Sequence, residues 1–419
     1  MTPCRKEHHL KHLFDGKGWD VYNSDVVNLS IGAPGTDLLE NCCEIFQKAT
    51  EHRLKIEKER NCSLLFQYGP TSGNYEARSA IAKYFGEMYK SVVNCEDIFI
   101  TSGATQGLHM VLSTLIDLNG YVFVDEVTYM IGLDVIRQFH NLKIIPVCLN
   151  DDGVDLQQLE HFVKANHFKS KNKEFWALYY TTPTFHNPTG ILFSDSVCQN
   201  LIKLARKYDF LITCDDVYNI LHYNDDDDEP PKRLFAYDDC NDKDYKGHVL
   251  SNGSFSKIIG PGIRLGWIEA PPRIKTLLDN SGVASSGGCL NNYTSCIVAS
   301  LFELNLAQKH ICYLYETYKE RMLAACEILK ANLPKDCNML EPKGGYFIWI
   351  RLPERRNAAE FLEMCIKEEK IVFIAGPRFA VASGQAVNCL RLAIAFHTKE
   401  RIKDAALRIC QALKRFLDK

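Results

Sequence analysis

The chain has 419 residues, 46% of them hydrophobic and 24% charged, with a formal net charge of −3. These are ordinary globular values, and the length suits two or three core-bearing units, or one large α/β domain with a smaller partner. The near-neutral balance excludes a global basic field for nucleic acid, and no apolar run reaches the roughly 18 residues of a membrane span.

The first 45 or so residues are of mixed character. The opening MTPCRKEHHLKHLFDGKGWD has no apolar signal core and carries Glu7, Asp15 and Asp20. A cytoplasmic location is expected, with a mitochondrial one as the alternative, since transit peptides are poor in acids. Seventeen cysteines are scattered along the chain with no CxxC pair, and Cys42 and Cys43 are adjacent. Reduced thiols are expected rather than a disulfide framework or a zinc site.

A strand DIFIT (97–101) leads into SGATQGL (102–108), a glycine turn opening a helical pattern over 104–117. Backbone N–H groups at a helix start favour anions, which places Ala104 and Thr105 at a phosphate. Apolar strands follow as YVFVDE (121–126), LKIIPVCL (142–149), EFWALYYTT (174–182), FLITCDD (210–216) and GHVLSNGSF (247–255). Between them lie amphipathic stretches such as 195–209, where Val197, Leu201, Leu204 and Ala205 fall at helical spacing. This alternation predicts an α/β fold with a mostly parallel sheet covered on both faces. The acidic run DDDDEPP (225–231) reads as a solvated loop. The last hundred residues hold a long helix pattern (307–333), the alternating FIWIRL (347–352) and a final helix. The expected division is an arm and part of a small domain at 1–48, a large domain at 49–305, and a small α+β domain at 306–419 that takes in both chain ends.

Asn187, Asp215 and Lys257 sit at or just past strand C-termini, the edge where open α/β sheets bind ligands. In SFSKIIGPGIRLGW (254–267), Ser254 and Ser256 alternate about Phe255, so an extended chain turns both hydroxyls one way. With Arg264 they make an anion cradle, each charge-assisted bond contributing roughly 1.5–3 kcal/mol. An amine, Lys257, beside a bound phosphate points to pyridoxal phosphate, with Lys257 as the Schiff-base lysine. A pyridine ring needs a carboxylate at its nitrogen, and Asp215 in CDDVY is the candidate. Asp216 points the other way. Tyr218 and Asn187, the latter held extended before Pro188, are donors to the ring phenolate. His186 is a hydrogen-bonded structural residue.

The ordered set SGATQGL, HNPTG, CDDVY, SFSKIIGPGIRLGW and NCLRLAIAF (388–396) resembles the fold-type-I pyridoxal-phosphate aminotransferases. It is most similar to the branch of 2-aminoadipate and kynurenine aminotransferases. The resemblance runs from VVNLSIGAPG (26–35) nearly to the C-terminus. It implies a seven-stranded-type sheet, Lys257 as general base, Asp215 at the ring nitrogen, and Ser254, Ser256 and Arg264 on the phosphate. It further implies Tyr129 stacked on the ring, Arg391 as the bidentate site for the substrate α-carboxylate, and Gly32 lining the substrate pocket. Tyr68 in FQYGPTSG matches a tyrosine that reaches the phosphate of a neighbouring subunit, which implies a homodimer with composite sites. The implied reaction is ping-pong transfer of an amino group between an amino acid and a 2-oxo acid. A lyase or decarboxylase on the same fold, and a non-catalytic relative, are the alternatives. The family often has serine–glutamine where Ala104–Thr105 stand and glutamine where His186 stands. No certain second arginine for a dicarboxylic side chain is visible.

Overall fold

The apolar runs of the middle of the chain become neighbours in one sheet. The computed structural model describes residues 26–223, 229–288 and 290–418. The N-terminal segment to residue 25 and the acidic positions 225–228 therefore lie outside the described residues. The strands are β1 (Ile98–Thr101), β2 (Ile116–Asp125), β3 (Lys143–Val147), β4 (Phe175–Thr181), β5 (Leu211–Asp215), β6 (Val249–Ser254) and β7 (Gly266–Glu269). They form a seven-stranded sheet in the order β1-β7-β6-β5-β4-β2-β3. From β6 to β3 every pairing is parallel, and β7 runs antiparallel to both β6 and β1.

The parallel strands are apolar along their whole length because both faces are covered. All seven residues of β4 are buried. Leu178 and Tyr180 pack with Leu108, Val111 and Leu115 of α1 (Ala104–Leu115). Ala177 and Tyr179 turn to the opposite layer, against Val197, Leu201 and Ala205 of a helix over Asp195–Tyr208. The period-2 alternation of Cβ directions thus splits one strand between two cores.

One boundary differs from the sequence reading. The helical pattern over 104–117 stops at Leu115, and Ile116 is already extended (φ −102°, ψ 136°) and paired with Phe175. Asp117 accepts from the Asn119 N–H and the Ser170 hydroxyl. These partners lie outside any helix and hold the bend.

A second, antiparallel sheet is built from β8 (Asn338–Met339), β9 (Phe347–Arg351), β10 (Ile374–Ala375) and β11 (Cys389–Ala393), in the order β8-β9-β11-β10. Long helices over Leu306–Asn332 and Lys399–Leu417 accompany it. The early segment joins this part of the chain. Val27–Asn28 pairs in parallel with Ile371–Val372, and the Ala393 N–H donates to the Leu29 carbonyl. The stretch after Asn28 is thereby pinned beside β11, which brings Ser30 and Gly32 to the sheet edge that carries Asp215 and Lys257. Among the described residues no helix is long and apolar enough to cross a membrane. None of the fifteen described cysteines is bridged.

Candidate active site

A cavity of about 200 Å³ opens at the C-terminal ends of the parallel strands. One wall is built from the start of α1. Gly103 precedes it with φ +94°, a conformation that favours glycine. A Cβ there would lie 3.1 Å from Nη2 of Arg264, so the guanidinium packs onto bare backbone. Gln106 reaches back to accept from the Ser102 N–H at 3.0 Å. That leaves the first-turn amides at Ala104 and Thr105 without intrahelical partners, and both residues line the cavity.

The facing wall is the turn after β6. Ser254 and Ser256 do not alternate on an extended strand as the sequence suggested. Ser254 ends the strand, and Phe255–Lys257 is a single 3₁₀ turn. The hydroxyls still converge, because Ser254 Oγ caps that turn. It accepts from the Ser256 N–H at 3.1 Å and lies 3.0 Å from Ser256 Oγ. Arg264, itself at φ +49°, directs Nη1 to Ser256 Oγ at 3.5 Å and to the Pro261 carbonyl at 3.0 Å. Two hydroxyls, a guanidinium and a helix N-terminus thus converge on one corner.

At the other end of the cavity Asp215 is buried at the tip of β5. Its Oδ2 accepts from the Tyr180 hydroxyl at 2.8 Å, while its Oδ1, equally buried, has no protein partner. Burial raises its pKa to about 6, with the Tyr180 bond pulling the other way. Asp216 faces the opposite layer and accepts from Ser251 Oγ at 2.6 Å. Tyr129, just before the helix Met130–Arg137, and Tyr218 both line the cavity. Burial lifts the phenol of Tyr129 to about 12 and that of Tyr218 well above its ordinary value, so both remain protonated donors.

Lys257 stands between the two ends. Desolvation first, then the Arg391 and Arg264 charges, lower its amine to about 8, while Asp215 opposes them. Its Nζ lies 2.6 Å from the Gly32 carbonyl, and its own carbonyl accepts from the Tyr346 hydroxyl at 2.7 Å. Asn187 is buried, and its Oδ1 accepts from Arg391 Nη1 at 2.8 Å, which leaves its NH₂ to donate. Arg391 Nη2 donates to the Ser30 carbonyl at 2.7 Å, and Nε has no partner. Burial lowers this guanidinium to about 10, still charged at neutral pH.

Of the residues singled out in the sequence, Ala104, Thr105, Tyr129, Asn187, Asp215, Tyr218, Ser254, Ser256, Lys257 and Arg264 line this one cavity. Arg391 and Gly32 adjoin it through Asn187 and Lys257. Tyr68 does not meet it: its side chain is 79% exposed, near Gly287. His186 is fully buried between Thr189 and Asp125, at 2.7 and 3.1 Å, a structural position as expected. Sequence reasoning missed Tyr180, which holds Asp215, and Asn252, whose Nδ2 donates to the Ala104 carbonyl at 2.8 Å. Tyr346 was missed as well. Each stands on an apolar strand or loop where a lone polar residue reads as core, although Tyr180 one residue before a strand end was a usable signal.

The donor set fits pyridoxal phosphate. The corner of hydroxyls, guanidinium and helix N-terminus suits a phosphate. The orphaned Oδ1 of Asp215 suits a protonated ring nitrogen, and the lowered amine of Lys257 suits an aldehyde carbon.

Comparison with known proteins agrees with this chemistry. The family model for aminotransferase class I and II matches residues 24–409. Aromatic-amino-acid aminotransferase 1 of Thermococcus litoralis is 29% identical over 95% of this chain and 90% of its own. The 2-aminoadipate transaminase of Thermus thermophilus is 26% identical over 94% of this chain and 91% of its own. The crystal structure of Pyrococcus horikoshii kynurenine aminotransferase in complex with PMP superposes with a TM-score of 0.81. It is 27% identical and covers 98% of this chain and 95% of the other.

Proposed function

We propose, from the premise that this chain belongs to the class I and II aminotransferase family and is a pyridoxal-phosphate-dependent transaminase, that the residues of the cavity take the following roles. The observation that carries them is the meeting of Lys257 Nζ, the unpartnered Asp215 Oδ1 and the anion corner in one cavity. Bound pyridoxal phosphate supplies an aldehyde that condenses with amines and a ring that accepts electron density. Ser254, Ser256, Arg264 and the amides of Ala104 and Thr105 bind its phosphate. Asp215 holds a proton on the ring nitrogen. Tyr218 and Asn187 donate to the phenolic oxygen, and Tyr129 stacks on the ring. Arg391 binds the substrate α-carboxylate through its planar fork, and Gly32 leaves room for the substrate beside it. Lys257 Nζ, held near pKa 8, is suited to take the proton from the substrate α-carbon and would deliver it to the carbon that had been the cofactor's aldehyde.

The two substrates are an L-amino acid and a 2-oxo acid that use the site in turn, which requires ping-pong kinetics. Among the described residues the cavity is lined by no cation beyond Lys257 and Arg264, and Arg391 is taken by the α-carboxylate. An aromatic or broad donor range and a dicarboxylic one both stand as readings of this site. The functional unit in this reading is a homodimer. Tyr68, with Phe66 and Leu64 exposed beside it, reaches the phosphate of a second copy. The division at residues 48 and 305 belongs to the same reading, supported by the separate sheets. So does a cytoplasmic location, supported by the scattered, unbridged cysteines.

A donor panel with 2-oxoglutarate as acceptor tests this function. Amino-group transfer with parallel double-reciprocal plots, absent from Lys257→Ala, is expected. Release of ammonia and pyruvate without an acceptor would instead mark a lyase.

A further inference from the structure

Arg391 is the least solvated cation near the site, 2% exposed on β11. Among the described residues no carboxylate pairs with it. Its hydrogen-bond partners are two neutral oxygens, Asn187 Oδ1 and the Ser30 carbonyl. A buried guanidinium without a counter-charge needs another source of stabilisation. Two aromatic rings provide it. The Phe347 ring centroid lies 4.0 Å from the guanidinium carbon and that of Phe379 lies 4.7 Å away.

Those rings are themselves fixed. Phe347 begins β9 and packs edge-on against Tyr218 at 5.7 Å. A Cβ added at Gly32 would come within 2.8 Å of its ring, so the Gly32 backbone closes directly over it. Phe379 is fully buried and meets Trp349 edge-on at 5.9 Å. Trp349 stands opposite Arg391 across the β9–β11 pair. Neither phenylalanine lines the cavity.

We infer that Phe347 and Phe379 are positioning residues that hold the Arg391 guanidinium, through its π-faces, charged and oriented for the substrate carboxylate. A ring face stabilises a desolvated cation without neutralising it. A carboxylate partner at the same place would compete with the substrate, and a neutral amide alone would leave the plane free to turn. The unpartnered Nε–H and the spare Nη hydrogens stay available to a planar anion. The sequence carries the device as a phenylalanine closing each of two short stretches that flank Arg391 in space, KGGYF (343–347) and GPRF (376–379).

This inference rests on Arg391 being the carboxylate site, and the experiment separates the two. The cofactor-loaded wild-type protein and its Phe379→Leu, Phe347→Leu and Arg391→Lys variants are titrated with L-phenylalanine and with 2-phenylethylamine. The two ligands differ only in the carboxylate, and binding is read from the cofactor absorbance. Phe379→Leu is expected to weaken L-phenylalanine about tenfold, the order of a desolvated cation–π contact, and to leave 2-phenylethylamine unchanged. Phe347→Leu should do the same independently, and Phe379→Tyr should restore most of the loss. Equal weakening of both ligands, or no change in either phenylalanine variant, overturns the clamp. A wild-type protein that fails to prefer L-phenylalanine, or an Arg391→Lys variant that keeps the preference, overturns instead the carboxylate role of Arg391 on which the clamp depends.

Discussion

Removing the Tyr180 hydroxyl should move the titration of Asp215. In the wild-type protein the carboxyl stands near pKa 6 because burial outweighs the 2.8 Å bond from Tyr180. Tyr180→Phe deletes that bond and keeps the ring that packs with Leu178 and Leu108. A hydrogen bond to a charged acceptor is worth roughly 1.5–3 kcal/mol, and one pKa unit corresponds to about 1.36 kcal/mol. The carboxyl should therefore rise by about one to two units. At pH 7 the wild-type group is mostly ionised, whereas the variant is half ionised or less. Only ionised Asp215 can receive a protonated ring nitrogen, so cofactor affinity falls as pH drops through its pKa in the free protein. The assay is an absorbance titration of cofactor-free protein with pyridoxal phosphate between pH 5 and 9. The ligand phosphate and Lys257 titrate in both proteins and cancel in the comparison. The acid-side bend should shift upward by about one to two pH units, with affinities converging at the alkaline end.

Linkage adds a second readout. A folded-state pKa raised to about 6 means that this group favours folding while protonated, and the contribution is lost as pH rises from about 4 through 6. Cofactor binding restores it by giving Oδ1 a partner, so thermal stabilisation by pyridoxal phosphate should be larger at pH 8 than at pH 5. An unmoved bend in Tyr180→Phe would refute the reasoning, because Asp215 would then not be the titrating group.

Gly103→Ala places a Cβ at φ +94° and 3.1 Å from Arg264 Nη2, so cofactor affinity should fall by about tenfold or more from backbone strain and a displaced guanidinium. Equilibrium dialysis checks it, with inorganic phosphate losing its protective competition in parallel. For the dimer, co-expressed Tyr68→Ala and Lys257→Ala chains should recover activity that neither variant has alone. One of the two sites in a hybrid then carries no substitution, and activity that stays absent in purified hybrids would rule out the composite site.

Much of the site was legible in the sequence because its chemistry falls in short segments tied to strand ends. SFSKIIGPGIR, HNPTG and CDDVY each follow an apolar run, so Ser254, Ser256, Lys257, Asn187 and Asp215 could be placed on one sheet edge before any coordinates. Asp216 could be set aside by the alternation of side chains, and it does face the opposite layer. The helix end at Leu115 was misread by two residues, since nothing in the local period marks Ile116 as a partner of Phe175.

What the sequence determined by itself was the order of strands and helices, the anion corner and the lysine–carboxylate pair, because each depends on spacing within a few residues. The tertiary structure alone decided which partners complete them. Tyr180 reaches Asp215 from the neighbouring strand, Phe347 meets Arg391 from the start of β9 and Phe379 from the segment between β10 and β11, and Ser30 arrives from more than 300 residues away. These contacts depend on sheet register and on the pairing of Val27–Asn28 with Ile371–Val372. Register is set by burial summed over whole strands, a quantity that no local stretch of sequence contains.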